Sequence, residues 1–341
     1  MKEELDKRKR KILQAIVEEY IDTAEPVSSG NLVKDLECSS ATIRNEMAEL
    51  EKIGYIEKPH TSAGRIPSQK GYRYYVDELV RDDNLSKKEM EIIRERLETK
   101  VNDLEDLTRI ATTTLSELTH YTTISVSPDI HNHNIIDIKF VLLGSKVLMA
   151  VILTDSGIIR ESIIKFDEDI NEQQVSDLTY LFKNKLVGRP LETINSPIED
   201  FIMAEVNAGI NVIKKIIEEI NKIILASKQI YLDGANKVMN MPEFKKVDVA
   251  KEFLNVLDAK DLVADVLNTG IADNINIYIG KETEKEELKN FSIVTFNHLL
   301  EDRDIGTIGI IGPTRMDYSK IISVMKYISK KLNDDFKKGK Y

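Results

Sequence analysis

Glu37-Cys38-Ser39-Ser40-Ala41-Thr42-Ile43-Arg44-Asn45-Glu46-Met47-Ala48-Glu49-Leu50 reads as a tight turn feeding a helix. Glu37, Cys38 and Ser39 make the turn. Ser40 opens a helix that runs through Ile53 and is stopped by Gly54 at the left-handed position after its last turn. Ile43, Met47 and Leu50 recur at helical spacing, so they share one face and point into a core. The opposite face presents Thr42, Arg44, Asn45 and Ala48, with Ser39, Ser40 and Ala41 at the leading end. Those types suit the major groove of DNA. Arginine can grip guanine and asparagine adenine, each through two hydrogen bonds, while Ser and Thr reach bases or phosphates and Ala can touch a thymine methyl. The free N–H groups at the leading end attract a phosphate.

The neighbouring sequence builds a module around that helix. Ile12, Leu13, Ile16, Val17 and Tyr20 make an amphipathic first helix. Pro26 ends the connection after it, and Ser28 or Ser29 caps a short second helix carrying Leu32 and Leu36. Tyr55 to Lys58 and Arg65 to Pro67 read as short strands around the loop Pro59-His60-Thr61-Ser62-Ala63-Gly64, and Gln69 to Val80 as a closing helix. Residues 1–81 thus form a winged helix-turn-helix. The loop tip, with His60, Thr61, Ser62 and the flanking Lys58 and Arg65, is a second DNA contact that can follow the backbone or enter the minor groove. Tyr72 and Tyr74 are candidates for phosphate contacts through their hydroxyls. The same pattern also occurs in winged-helix modules that bind only proteins.

The formal charge of the chain, −10 over 341 residues, argues at first against a nucleic-acid partner. Its distribution changes that reading. Residues 1–81 hold 14 Lys/Arg against 15 Asp/Glu, so nearly all the acidity lies in the rest of the chain. Lys58 to Val76 contains Lys58, Arg65, Lys70 and Arg73 and no acid, a local basic strip. The most apolar region, Phe140 to Leu153, is interrupted by Gly144, Ser145 and Lys146 and is too short to span a membrane. The charged N-terminus lacks a signal-peptide core, and one cysteine, Cys38, makes no internal disulfide framework. A cytoplasmic location with no membrane partner is the expectation.

Beyond residue 81 the reading is α+β. Ser86 to Leu118 is expected as one long helical stretch opened by a Ser86…Glu89 capping box, packed on its own domain rather than forming a dimer seam. Strands follow at 122–126, 135–143, 146–154 and 157–165, then a helix at 171–186. Residues 190–270 are read as almost entirely helical. Strands return at 275–279, 292–297 and 307–311, and Asp317 caps a final helix. Strands, helices, then strands suggest a sheet domain interrupted by a helical insertion. The expected domains are 1–81, 82–189, 190–270 and 271–341.

Several motifs carry more than pattern. Tyr20-Ile21-x-Thr23-x-Glu25-Pro26-Val27-Ser28-Ser29, Ser40 to Met47, Pro59 to Ser68, and Lys70-Gly71-Tyr72-Arg73-Tyr74-Tyr75-Val76-Asp77 closely resemble the heat-inducible transcription repressor family, HrcA. Gly306-Thr307-Ile308-Gly309-Ile310-Ile311-Gly312-Pro313-Thr314-Arg315-Met316-Asp317-Tyr318 resembles its C-terminal signature, and Asn240-Met241-Pro242-Glu243-Phe244 matches more loosely. The resemblance implies a winged helix joined to a GAF-like domain that contains an inserted dimerisation domain, here residues 190–270. It implies a non-enzymatic homodimer repressing chaperone operons through an inverted-repeat operator, CIRCE, with activity linked to the GroE chaperonin and lost on heat shock. Operator binding is carried onto Ser39, Ser40, Thr42, Arg44, Asn45, His60, Thr61, Ser62 and Arg65.

Other residues carry less. His131-Asn132-His133 lacks nearby cysteines and a third ligand, so it reads as a polar loop, and no metal or cofactor is expected. Cys38 reads as a small packed residue. Gly306, Gly309 and Gly312 do not form a dinucleotide fingerprint and read as close strand packing. Arg315 and Asp317 read as a local ion pair and a helix cap rather than an anion site. The alternative function is a winged-helix regulator whose GAF-like domain senses a small-molecule effector.

Overall fold

In a computed structural model, the residues described are 5–36, 38–60, 64–80, 85–98, 104–127, 133–155, 159–191, 210–225, 230–267, 275–300 and 303–337. The N-terminal part contains helices α1 (Lys7–Thr23), α2 (Val33–Leu36) and α3 (Ser40–Lys52), strands β1 (Ile56–Glu57) and β2 (Ile66–Pro67), and helix α4 (Gln69–Tyr74), which widens into a π turn over Tyr75–Leu79. The Asp6 carboxylate caps α1 by accepting from the Arg8 and Lys9 amides. Ala24, in the left-handed region at φ 57°, ends it. Ile12, Leu13, Ile16 and Val17 of α1 are buried with Ile43, Met47 and Leu50 of α3, as their spacing requires. Strand β1 pairs antiparallel with β2, and Val27 bridges Arg65 beside them. Gly71 lets α4 approach this hairpin, because a Cβ there would run into the Tyr55 carbonyl.

The body has two antiparallel sheets. Helices α5 (Lys87–Leu97) and α6 (Leu104–Thr119) lead to β3 (Thr122–Val126). The five-stranded sheet has the order β7-β3-β10-β9-β8, using β7 (Ile230–Asp233), β8 (Ile275–Ile279), β9 (Phe291–Leu300) and β10 (Arg303–Pro313). Helix α6 packs on β3, β7 and β10, and α12 (Tyr318–Lys337) packs on α5, α6 and β9. Between β3 and β7 in the chain lies the three-stranded sheet β4 (Ile135–Gly144), β5 (Val147–Thr154) and β6 (Ile159–Lys165). Its inward residues Ile138, Phe140, Leu148, Ala150, Ile152 and Ile164 form a separate core with Phe182 of α7 (Glu172–Leu186) and Ile213, Ile216 and Ile220 of α8 (Ile210–Leu225). The Phe140 and Phe182 rings meet edge to face at 5.1 Å.

Two expectations are corrected. Residues 86–118 are not one helix: α5 and α6 pack on each other, and Arg96 reaches Glu117 at 2.6 Å, which a continuous rod cannot do. The described residues of 190–270 do not gather into one helical domain. Helix α8 belongs to the three-stranded sheet's core, while β7 is an edge strand of the five-stranded sheet. Helices α10 (Val247–Asp258) and α11 (Lys260–Leu267) join the larger core, and α9 (Ala235–Val238) follows β7 directly. Between β3 and β7 in the chain, the described residues of β4 to β6, α7 and α8 thus share one α/β core. Strand β3 pairs with β7 and β10. Gly309 and Gly312 do permit close packing, under Leu267 and against Met316 and Tyr121 respectively.

Two carboxylates tie helix α5 to α12: Glu98 pairs with Lys331 at 3.0 Å, and Glu89 serves the other end. Glu89 closes the capping box with Ser86 and also pairs with Lys320. Partial burial raises the Glu89 carboxyl, but hydrogen bonds from Lys320 and Ser86 outweigh it and bring it from the ordinary 4.5 to about 2. A carboxyl lowered on folding stabilises the native state above its unfolded value, and that stability is lost as pH falls through the folded value. Glu89→Gln should therefore flatten the loss of stability between pH 4.5 and about 2 in a urea-denaturation series. An acid limb identical to that of the parent chain would show that the pair does not support the α5–α12 contact.

Candidate nucleic-acid interface

Helix α3 starts from a built cap. Ser39 is extended (φ −64°, ψ 144°), and its hydroxyl accepts from the Thr42 amide at 3.1 Å. The Ser39 and Thr42 hydroxyls lie 2.9 Å apart, and Ser40 meets the Ser29 hydroxyl at 3.1 Å. Three of the expected contact residues are thus already employed in shaping the leading end. Arg44 and Asn45 differ. Both are exposed, and among the described residues neither has a hydrogen-bond or ion-pair partner.

The acids of α3 are neutralised from behind. Lys9 lies 3.0 Å from Glu46 and 2.8 Å from Glu49, and Arg8 lies 3.5 Å from Glu46. Glu49, Asp6 and Glu46 together hold the Lys9 ammonium well above its ordinary value, so it stays charged. Glu51 is bound by Arg65 at 2.7 Å. These pairs tie α3 to α1 and to the hairpin, and they leave the outward face to Ala41, Thr42, Arg44, Asn45 and Ala48.

The expected wing contacts are reassigned in part. His60 is exposed at the hairpin, while Thr61 and Ser62 lie outside the described residues. The Arg65 side chain is 17% exposed and faces Glu51, donating from Nε at 2.9 Å, and its backbone is bonded both ways to Val27 at 2.8 Å. It holds the hairpin rather than projecting from it. The basic strip is also not a strip. Lys70 donates to the Ile53 carbonyl and lies over the Tyr55 ring, and Arg73 is bonded to Glu282 and Asp77. Lys58 is paired only loosely, 3.9 Å from Glu51, with its side chain 42% exposed. Tyr72 and Tyr74 are 3% and 8% exposed, so they are core residues and not phosphate contacts.

Composition alone missed the cations that are available. Lys7, Arg8 and Lys11 line a depression of about 250 Å³ with Ile12, Leu36 and Cys38. Cys38 precedes the cap of α3, so these cations sit beside its leading end. Among the described residues Lys7 and Lys11 have no ion-pair partner. The sequence signal was there, in Lys7 to Lys11, but only the fold sets it next to Ser39. Elsewhere, His133 bonds Asp155 at 3.0 Å in the loop beside β4, while His131 and Asn132 lie outside the described residues. No helix among the described residues is long and apolar enough to cross a membrane.

Capping and contact roles separate by substitution. Ser39→Ala should lower stability by about 1 kcal/mol through loss of the cap, whereas Arg44→Ala should stay within about 0.5 kcal/mol of the parent. Equilibrium denaturation checks both. Equal destabilisation by the two changes would mean that Arg44 is held by the protein and is not free for a ligand.

Comparison with known proteins agrees with this geometry. The family model for the HrcA protein C terminal domain matches residues 105–322, and a helix-turn-helix domain model matches residues 12–64. The heat-inducible transcription repressor HrcA of Ruminiclostridium cellulolyticum is 42% identical over 341 residues, 98% of each chain. Its counterpart in Acetivibrio thermocellus is 38% identical, over 97% of this chain and 96% of its own. A crystal structure described only as a hypothetical protein shares the fold, with a TM-score of 0.66, 24% identity, and coverage of 98% of this chain and 99% of its own. With the helix-turn-helix geometry in place and the family signature matched over both ends, the chain belongs to the HrcA family of heat-inducible transcription repressors.

Proposed function

We propose that the chain is a transcription repressor that binds an inverted-repeat operator, CIRCE, as a homodimer and releases it on heat stress. The observation that carries the reading is the outward face of α3, where Arg44 and Asn45 stand exposed and unpartnered beside a capped helix end. Arg44 and Asn45 read base edges. Ser39, Ser40 and Thr42 shape the leading end and meet phosphate. His60, Thr61 and Ser62 form the wing tip, and Arg65 holds that wing in place. Lys7 and Lys11 supply further phosphate contacts that the sequence reading did not assign.

A second copy has a surface to occupy. Strand register puts Met149 opposite Ile163 and Leu153 opposite Ile159 on the face of the three-stranded sheet away from α7 and α8. Ile163 and Ile159 are 58% and 56% exposed. An exposed apolar sheet face of this kind supports a self-complementary, two-fold contact. The dimerisation element of this reading is thus the α/β insertion, set within a GAF-like five-stranded sheet. Two copies of α3 related by a two-fold axis match a palindrome. The reading is non-enzymatic and places the chain in the cytoplasm. The resemblance alone supports a role for the GroE chaperonin in its activity.

Titration against a labelled inverted repeat and a scrambled duplex, at two salt concentrations and with or without the chaperonin, tests this reading. The repeat alone should bind tightly, and binding should weaken as salt rises. Arg44→Ala and Asn45→Ala should each remove about 1–3 kcal/mol of the preference for the repeat. Equal, weak binding to both duplexes in every condition would overturn the operator role.

A further inference from the structure

Four sequence motifs remain unexplained by DNA contacts, and the fold brings all four to one place. The Arg315 guanidinium donates to both Glu243 oxygens, at 2.6 and 3.1 Å, and to the Ile21 carbonyl at the end of α1. Arg73 of α4 donates to Glu282 from Nε at 3.0 Å, to the Ile277 carbonyl of β8 at 2.6 Å, and to Asp77 at 3.2 Å. Between these two clamps the Tyr72 ring lies 6.0 Å from that of Tyr318, which is itself fixed by bonds to Ser292 and the Thr314 carbonyl. The participants are 20–29, 70–77, 240–244 and 306–318, separated by up to almost 300 residues.

Two features make this junction a positioning device rather than a generic contact. Each arginine offers a planar fork that bonds in a fixed direction, so it sets orientation as well as distance. The two forks engage different helices of the winged helix, α1 and α4, so rotation about either one is blocked by the other. The Arg315 clamp is also largely enclosed, with Arg315 9% and Tyr72 3% exposed, while the Arg73–Glu282 clamp keeps about a third of each side chain in solvent, at 30% and 28%. A buried ion pair adds little net stability over an apolar contact, and its best-attested use is to select one arrangement.

We propose that Arg73 and Arg315 are positioning residues for operator binding, fixing the angle at which the body presents α3 and thereby the half-site spacing that a pair of copies accepts. The proposal rests on the dimeric operator reading above. Neither residue touches DNA. Sequence preference within a half-site belongs to α3, and tolerance of spacing belongs to the junction. Loosening the clamps leaves the first intact and broadens the second.

The test uses the full chain and half-sites recovered by the parent protein from random duplexes. Affinity is measured for a single half-site and for inverted repeats whose spacer changes one base pair at a time through a helical turn. The parent should favour one spacing by about tenfold over a half-turn shift. Arg73→Lys and Glu243→Gln should compress that range to about threefold, with single half-site affinity within about twofold of the parent. Glu282→Gln, at the more exposed clamp, provides the same test should Glu243→Gln fail to fold, as judged by its melting transition. A spacing profile in the folded variants that matches the parent overturns the proposal. A parent that binds half-sites without spacing preference also overturns it and leaves DNA binding standing. A parent that binds no half-site removes the operator reading along with it.

Discussion

Arg315 carries a full charge at a position where the end of α1, the turn at Pro242–Lys245 and the turn from β10 into α12 meet. Burial works against that charge, and the Glu243 carboxylate more than restores it. Removing one partner of such a pair typically costs about 3–5 kcal/mol, because the other is left buried and uncompensated. The apolar packing around it is continuous. Leu13 and Ile16 of α1, Tyr72 of α4, Phe291 of β9 and Ile321 of α12 belong to one buried cluster. The winged helix is accordingly seated on the body and is not simply tethered to it. Whatever moves the body also moves α3.

The same economy governs the recognition face. Helix α3 carries three glutamates, which would repel phosphate if they stood free. Glu46 and Glu49 are bound by α1, and Glu51 is bound by the hairpin. The ion pairs that assemble the module thereby clear the outward face of α3, the face proposed to meet DNA, and the overall charge of −10 does not bear on it. The proposed contacts are local: Arg44 and Asn45 on the face, with Lys7 and Lys11 beside the leading end. By contrast, cations that look like an interface in one dimension, Lys70 and Arg73, are consumed by carbonyls and carboxylates in three.

Legibility followed the range of the interactions. The N-terminal helices and the hairpin were readable because 3.6-residue spacing and glycine stops are local signals, whereas the cap of α3 falls on Ser39, which the sequence reading placed in the turn. Arg44 and Asn45 were readable for the same reason, since the buried trio Ile43, Met47 and Leu50 dictates what faces outward. Long-range partners left no local trace. Strand β7 is four residues between helical patterns, and only its pairing with Thr123 to Val126 makes it a strand. The break between α5 and α6 is decided by their mutual packing. The destination of Arg65 depends on Glu51, 14 residues away, and that of Arg315 depends on Glu243.

Methylation protection of guanine N7 on a bound inverted repeat tests the account at its centre, because that atom lies in the major groove and Arg44 is assigned to base edges there. The account predicts protected guanines in both half-sites on one face of the duplex, with protection lost at matching positions in Arg44→Ala while the complex still forms at low salt. No protection of guanine N7 in either half-site of the bound repeat, or a pattern unchanged by Arg44→Ala, would contradict the assignment of α3 as the reading element.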